Sequence, residues 1–160
     1  MKTSTSALAA LFLLPTTTFA AESTPADFGA AFCKGSIDND MSAIEAALTP
    51  DLAKVIAEAE SKNAEIQAAA PDEKPPLGDG LPWRSWPDYA DGCAVGDITE
   101  DAGQTLVEIR YSFTGSPEAN YADHLVLIPA TTSGDSWQLD DVRLIDDMTL
   151  RSVLAGAFAQ

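Results

Sequence analysis

Residues 71–92 read PDEKPPLGDGLPWRSWPDYADG and carry five prolines and three glycines. Proline removes a backbone donor and clashes inside a helix, and in a sheet it is confined to edges and bulges. No regular element can cross this stretch, so the chain is divided into a piece before it and a piece after it. An irregular segment of this length is unusual inside a compact domain and is usually functional or disordered. This one also holds Leu77, Leu81, Trp83, Trp86 and Tyr89. Disordered linkers are poor in aromatics, which predicts an ordered loop laid across the body of the protein.

The two pieces differ in period. Before the loop, Thr24-Pro25-Ala26-Asp27 offers an N-cap, a proline at the first helical position and an acid in the first turn. Phe28 and Phe32 fall on one helical face with Cys33 beside them, and Gly35 is the expected stop. Ser42-Ala43-Ile44-Glu45 fits a capping box opening a short helix. Thr49-Pro50-Asp51 opens a longer one, with Leu52, Val55, Ile56, Ala59 and Ile66 on a helical stripe that ends before Pro71. After the loop the period is two. Val107, Ile109, Tyr111 and Phe113 alternate with Glu108, Arg110 and Ser112, the pattern of a half-buried antiparallel strand.

His124–Ile128 is an apolar run expected to be covered on both faces. Ser136–Leu144 follows the turn signal Thr132-Ser133-Gly134-Asp135, and its doubled acid Asp140-Asp141 predicts a bulge. Cys93–Ile98 is a short fourth strand, and Thr149–Phe158 closes with a helical pattern. Helices first and a meander of strands last predict an α+β domain, with the N-terminal helices packed on a curved antiparallel sheet.

At 160 residues the chain is long enough for one domain. Met1-Lys2, the apolar run Ala7–Leu14 and small residues before Ala20 describe a signal peptide over 1–20, leaving a single domain over 21–160. The apolar run is shorter than the roughly 20 residues that span a bilayer, so no membrane insertion is expected after cleavage. The expected location is periplasmic or secreted. Nine basic against twenty-five acidic residues give a charge of −16. Without Lys2 the mature domain keeps eight basic residues and a charge of −17. A chain this acidic lacks the basic footprint that nucleic acid demands. In an oxidising compartment Cys33 and Cys93 are expected to pair, tying the first helix to the start of the sheet.

Helices, Pro-rich loop and curved meander in that order resemble the nuclear-transport-factor-2-like (cystatin-like cone) superfamily. Pro75-Pro76-Leu77-Gly78-Asp79-Gly80-Leu81-Pro82-Trp83 followed by Trp86 is similar to an uncharacterised bacterial exported family within it. So is the ending Trp137-Gln138-Leu139-Asp140-Asp141-Val142-Arg143 with Leu150-Arg151-Ser152-Val153-Leu154. The resemblance covers about 75–154. It implies a cone with an apolar pocket between sheet and helices, and by analogy dimerisation through the open sheet face. It implies no activity, because fold does not dictate chemistry.

Several residues invite a functional reading. Trp83, Arg84, Trp86 and Tyr89 form an aromatic and basic cluster suited either to docking a partner or to stapling the loop to the core. His124, with an acid such as Glu108 from a neighbouring strand, is a candidate general base, and Tyr111 a candidate acid; packing is the simpler role for both. Arg110 is expected to pair with a carboxylate. Asp38-Asn39-Asp40 begins like a calcium loop but lacks its glycine at the sixth position and its glutamate at the twelfth, so neither a metal nor a cofactor is expected. The resulting expectation is a non-catalytic binding or interaction domain for a small apolar ligand or an envelope protein. An acidic inhibitor or immunity-type protein docking a basic partner is a second reading, and a small hydrolase or isomerase using His124 or Tyr111 a third.

Overall fold

The computed structural model describes residues 23–86, 88–130 and 136–159. The signal peptide expected over 1–20 and the turn expected at 132–135 lie outside the described residues.

The first helix, α1 (Pro25–Asp38), begins where the cap residues demand. Thr24 Oγ1 accepts from the Asp27 N–H at 3.1 Å, and the Asp27 carboxylate accepts from the Thr24 N–H at 2.9 Å. The helix does not stop at Gly35. It runs to Asp38 and closes on Asn39 in the left-handed region (φ 55°). Gly35 matters for a different reason: a Cβ there would lie 2.6 Å from the Asp40 carbonyl oxygen, where the chain folds back. The short α2 (Ser42–Glu45) forms, yet without a capping box at Ser42. The N-cap is Met41, and the Asp40 carboxylate accepts from the Ser42 N–H at 3.1 Å instead. In α3 (Pro50–Ala69) the Thr49 hydroxyl accepts from the Leu52 N–H, and Leu52, Ile56 and Ala59 form the buried stripe.

Four strands form an antiparallel meander in chain order: β1 (Gly92–Asp101), β2 (Gln104–Ser112), β3 (Tyr121–Pro129) and β4 (Trp137–Arg143). β1 is longer than the sequence pattern predicts, because Ala102-Gly103 make a two-residue hairpin turn with both residues at positive φ. The bulge expected at the doubled acid is present. Val126 faces Asp141 and Leu127 faces Leu139, leaving Asp140 as the extra residue. A second irregularity in β1, between Val95 and Ile98, adds to the bending of the sheet. The final helix, α4 (Leu150–Gly156), is capped reciprocally by Thr149 and Ser152.

The inward row of β2 and β3 meets the helices in one core. Val107, Ile109, Tyr111, Leu125 and Leu127 pack with Phe28, Phe32, Ile44, Leu52, Leu150 and Leu154. Each such aliphatic or aromatic side chain contributes about 1.5–3 kcal/mol on leaving water. α1 lies on β1 and β2, whereas α3 and α4 pack on each other and on β4. A Cβ at Gly29 would come within 2.9 Å of Val95 and Val107, so the glycine lets α1 settle onto the sheet. On the opposite face, Leu106 and Val126 are cross-strand neighbours and both are buried, as expected for a run covered on both sides. Cys33 and Cys93 form the expected disulfide between α1 and β1. Among the described residues no helix is long and apolar enough to cross a membrane.

Candidate functional site

The loop between α3 and β1 is tied down along its length by polar contacts. Asn63 Oδ1 on α3 accepts from the Leu77 N–H at 2.8 Å, and Gln67 Nε2 donates to the Pro71 carbonyl at 3.0 Å. Further along, Arg84 Nη1 donates to the carbonyl and hydroxyl oxygens of Ser36 on α1, at 3.0 and 3.2 Å. The Asp91 N–H donates to the Ser112 carbonyl at 2.9 Å. Two backbone groups of the loop, the Leu77 N–H and the Pro71 carbonyl, thus find partners in side chains of α3.

The deepest tie is Ser85. Its N–H donates to Asp123 Oδ2 at 3.0 Å, its hydroxyl donates to Asp123 Oδ1, and the same hydroxyl accepts from the Ile145 N–H at 2.9 Å. Asp123 is only 1% exposed on the inward face of β3. Burial pushes its carboxyl above the usual aspartate range, against the opposing pull of the two Ser85 bonds. Asp123, Ser85 and Ser36 are not among the residues that the sequence singles out. The signal for Asp123 was present, since strand alternation puts it in phase with the buried Leu125 and Leu127. Nothing local marks Ser36 or Ser85; each acquires its role from a partner on a distant element.

Between this loop, the end of α1 and α4 lies a cleft of about 660 Å3. Its apolar wall comes from Met41, Leu77, Leu81, Trp83, Val153 and Ala157, and its polar rim from Ser36, Asp79, Arg84, Asp88 and Tyr89. The loop aromatics divide by role. Trp83 is buried and joins the core. Tyr89 is 63% exposed at the rim, with the Arg84 guanidinium 5.1 Å from its ring centre, a cation–π contact. Trp86 is 50% exposed and does not line the cleft.

Tyr111 lies on the inward face of β2, stacked on Tyr121 with ring centres 4.8 Å apart. Both hydroxyls are buried and make no hydrogen bond of good geometry among the described residues, although Ser36 lies beside that of Tyr111. Burial drives the Tyr111 hydroxyl well above its ordinary pKa and that of Tyr121 up to about 12, so both phenols keep their protons at neutral pH.

His124 points the other way. It faces Glu108 and Arg143 across the strands on the outer side of the sheet, away from Tyr111 and the cleft. The structure therefore does not bring His124 and Tyr111 together. Around His124 the charges are paired. Arg110 contacts Glu108 and, at 3.3 Å, Asp97, while Arg143 donates two bonds to Asp101. Glu108 also accepts from the Asp97 N–H at the β1 irregularity. That bond first, and Arg110 second, hold its carboxyl below the usual glutamate range.

The acids singled out in the sequence serve helix ends and junctions. Asp38 pairs with Lys34, and Asp140 takes hydrogen bonds from Thr49 at 3.0 Å and Arg151 at 3.1 Å. Among the described residues no three of His, Cys, Asp or Glu gather where they could hold a metal ion. No family model, no curated protein and no solved structure matches this chain.

Proposed function

We propose that this is an exported, non-catalytic binding domain whose ligand enters the cleft beside residues 76–89. The observation that carries the reading is the cleft itself, whose lining sets apolar side chains beside a comparable share of polar ones. A small ligand with an apolar body fits that wall, and an apolar side chain of an envelope protein would fit it equally. His124 lies on the outer side of the sheet, away from the cleft, so a hydrolase or isomerase reading at this cleft would rest on Tyr111 alone, whose buried hydroxyl holds its proton. Export is supported by the paired cysteines, which suit an oxidising compartment, together with the leader pattern at 1–20. The helix-first, meander-last order is in keeping with the resemblance to the nuclear-transport-factor-2-like superfamily.

The uncharged fluorescent probe Nile red tests the reading. Saturable binding at a single site is expected, together with a change in tryptophan emission from Trp83. Ala157→Trp, which fills the cleft from the end of α4, is expected to weaken binding by about tenfold or more, equivalent to about 1.4 kcal/mol. Absence of saturable binding, or binding that Ala157→Trp leaves intact in a folded protein, would defeat the proposal.

A further inference from the structure

The two edges of the sheet are finished differently. Along β4, Leu139 exchanges main-chain hydrogen bonds of 2.9 Å with Ala47 and Thr49, and Arg143 bridges to Thr149. That edge is covered. Along β1 the backbone pairs with β2 alone among the described residues. Alternate N–H and C=O groups of such an edge point outward and are available to another strand.

Beside the open edge runs a groove of about 400 Å3 between α1 and the first half of β1, lined by Ala30, Ile37, Val95, the Cys33–Cys93 disulfide and the ion-paired Lys34 and Asp38. Ile37 and Ile98 are large apolar side chains exposed at 40% and 42%. The register shift between Val95 and Ile98 leaves both on the helix face, opposite Ile109 and Val107, while Asp97 and Asp101 fall on the other face. No lysine or arginine occurs on β1. The nearby cations Lys34, Arg110 and Arg143 are already paired with Asp38, with Glu108 and Asp97, and with Asp101.

We infer that the β1 edge accepts an extended segment of another protein as a fifth strand, one that alternates apolar and basic residues. Its apolar side chains would lie over Ile37 and Val95, and its basic side chains would compete with Arg110 for Asp97 and with Arg143 for Asp101, exposed pairs of the kind that contribute little. Charge selects this occupant over a second copy of the chain. Pairing β1 with itself would bring two acidic edges together on molecules of charge −16 each. Main-chain pairing would supply affinity, and the alternating pockets would supply specificity. This surface is separate from the cleft, so each proposal can fail without the other.

The test uses a synthetic peptide alternating lysine and valine, and a second peptide identical except for proline at its central residue. Expected are saturable binding that weakens with salt, and amide resonance shifts confined to β1 and α1. The proline peptide, and Ala30→Trp protein with an unchanged circular dichroism spectrum, are each expected to bind at least about tenfold more weakly. Equal binding of the two peptides would reduce the effect to general charge attraction and overturn the inference. So would no binding, shifts centred on the cleft, or sedimentation showing a dimer that occupies the edge.

Discussion

A carboxylate sealed in an apolar wall is tolerated only where hydrogen bonds satisfy it, and at Asp123 the satisfying groups come from a loop residue. Asp123→Ala leaves the Ser85 N–H and hydroxyl without acceptors and is expected to cost about 1–3 kcal/mol in urea unfolding, with Asp123→Asn losing less. The pH dependence has a definite sign. A carboxyl raised in the folded state holds its proton more tightly there than in the unfolded chain. Its contribution to stability is therefore complete below the ordinary aspartate value of 3.8 and is lost as pH rises through the folded value. The stability of Asp123→Asn relative to the parent protein should accordingly improve as pH rises from about 4, the unfolded aspartate range. A pH-independent difference would contradict this account. Glu108 runs the opposite way, because its lowered carboxyl contributes above the ordinary value of 4.5 and loses that contribution as pH falls through the folded value.

At the scale of elements, the helix starts and the strand alternation were legible because they are local. Thr24 and Thr49 cap their helices as the sequence pattern indicates, and Asp140 is the bulged residue. Misread points were those where a competing contact lay elsewhere. Gly35 resembles a stop, but the close return of Asp40 explains it; Ser42 resembles a cap, but Asp40 already provides the acceptor. The length of β1 was hidden by its acidic second half and by a turn whose first residue is not glycine. Ala102 sits at φ 51°, a region that costs an ordinary L-residue about 1–2 kcal/mol. Ala102→Gly and Ala102→Asn should relieve part of that cost and raise the melting temperature, measured calorimetrically. A fall in both variants would mean the turn differs from the one described.

For the molecule as a whole, the disulfide joins the helical half to the sheet half across a separation of 60 residues. In the chain-entropy account, closing a loop of that length restricts the unfolded state by about 4 kcal/mol. The double variant Cys33→Ser, Cys93→Ser is expected to lower the unfolding free energy by a comparable amount while leaving the order of elements intact. An unchanged denaturation midpoint would show that the helices and sheet hold together without it. The bridge also forms part of the groove beside β1, so its loss should weaken the lysine–valine peptide more than Nile red in the cleft.

Composition, periodicity and caps were enough to determine an α+β chain, the starts of α1 and α3, and an irregular loop between the helices and the sheet; the two cysteines had only each other as partner. These are short-range properties, or properties for which only one partner exists. Tertiary structure alone decided that Trp83 enters the core while Trp86 faces water, that Ser85 closes on Asp123, and that among the described residues β1 pairs with β2 alone. Each of those outcomes depends on which of several distant groups the packed elements bring within hydrogen-bonding or contact distance, and nothing local in the sequence encodes that choice.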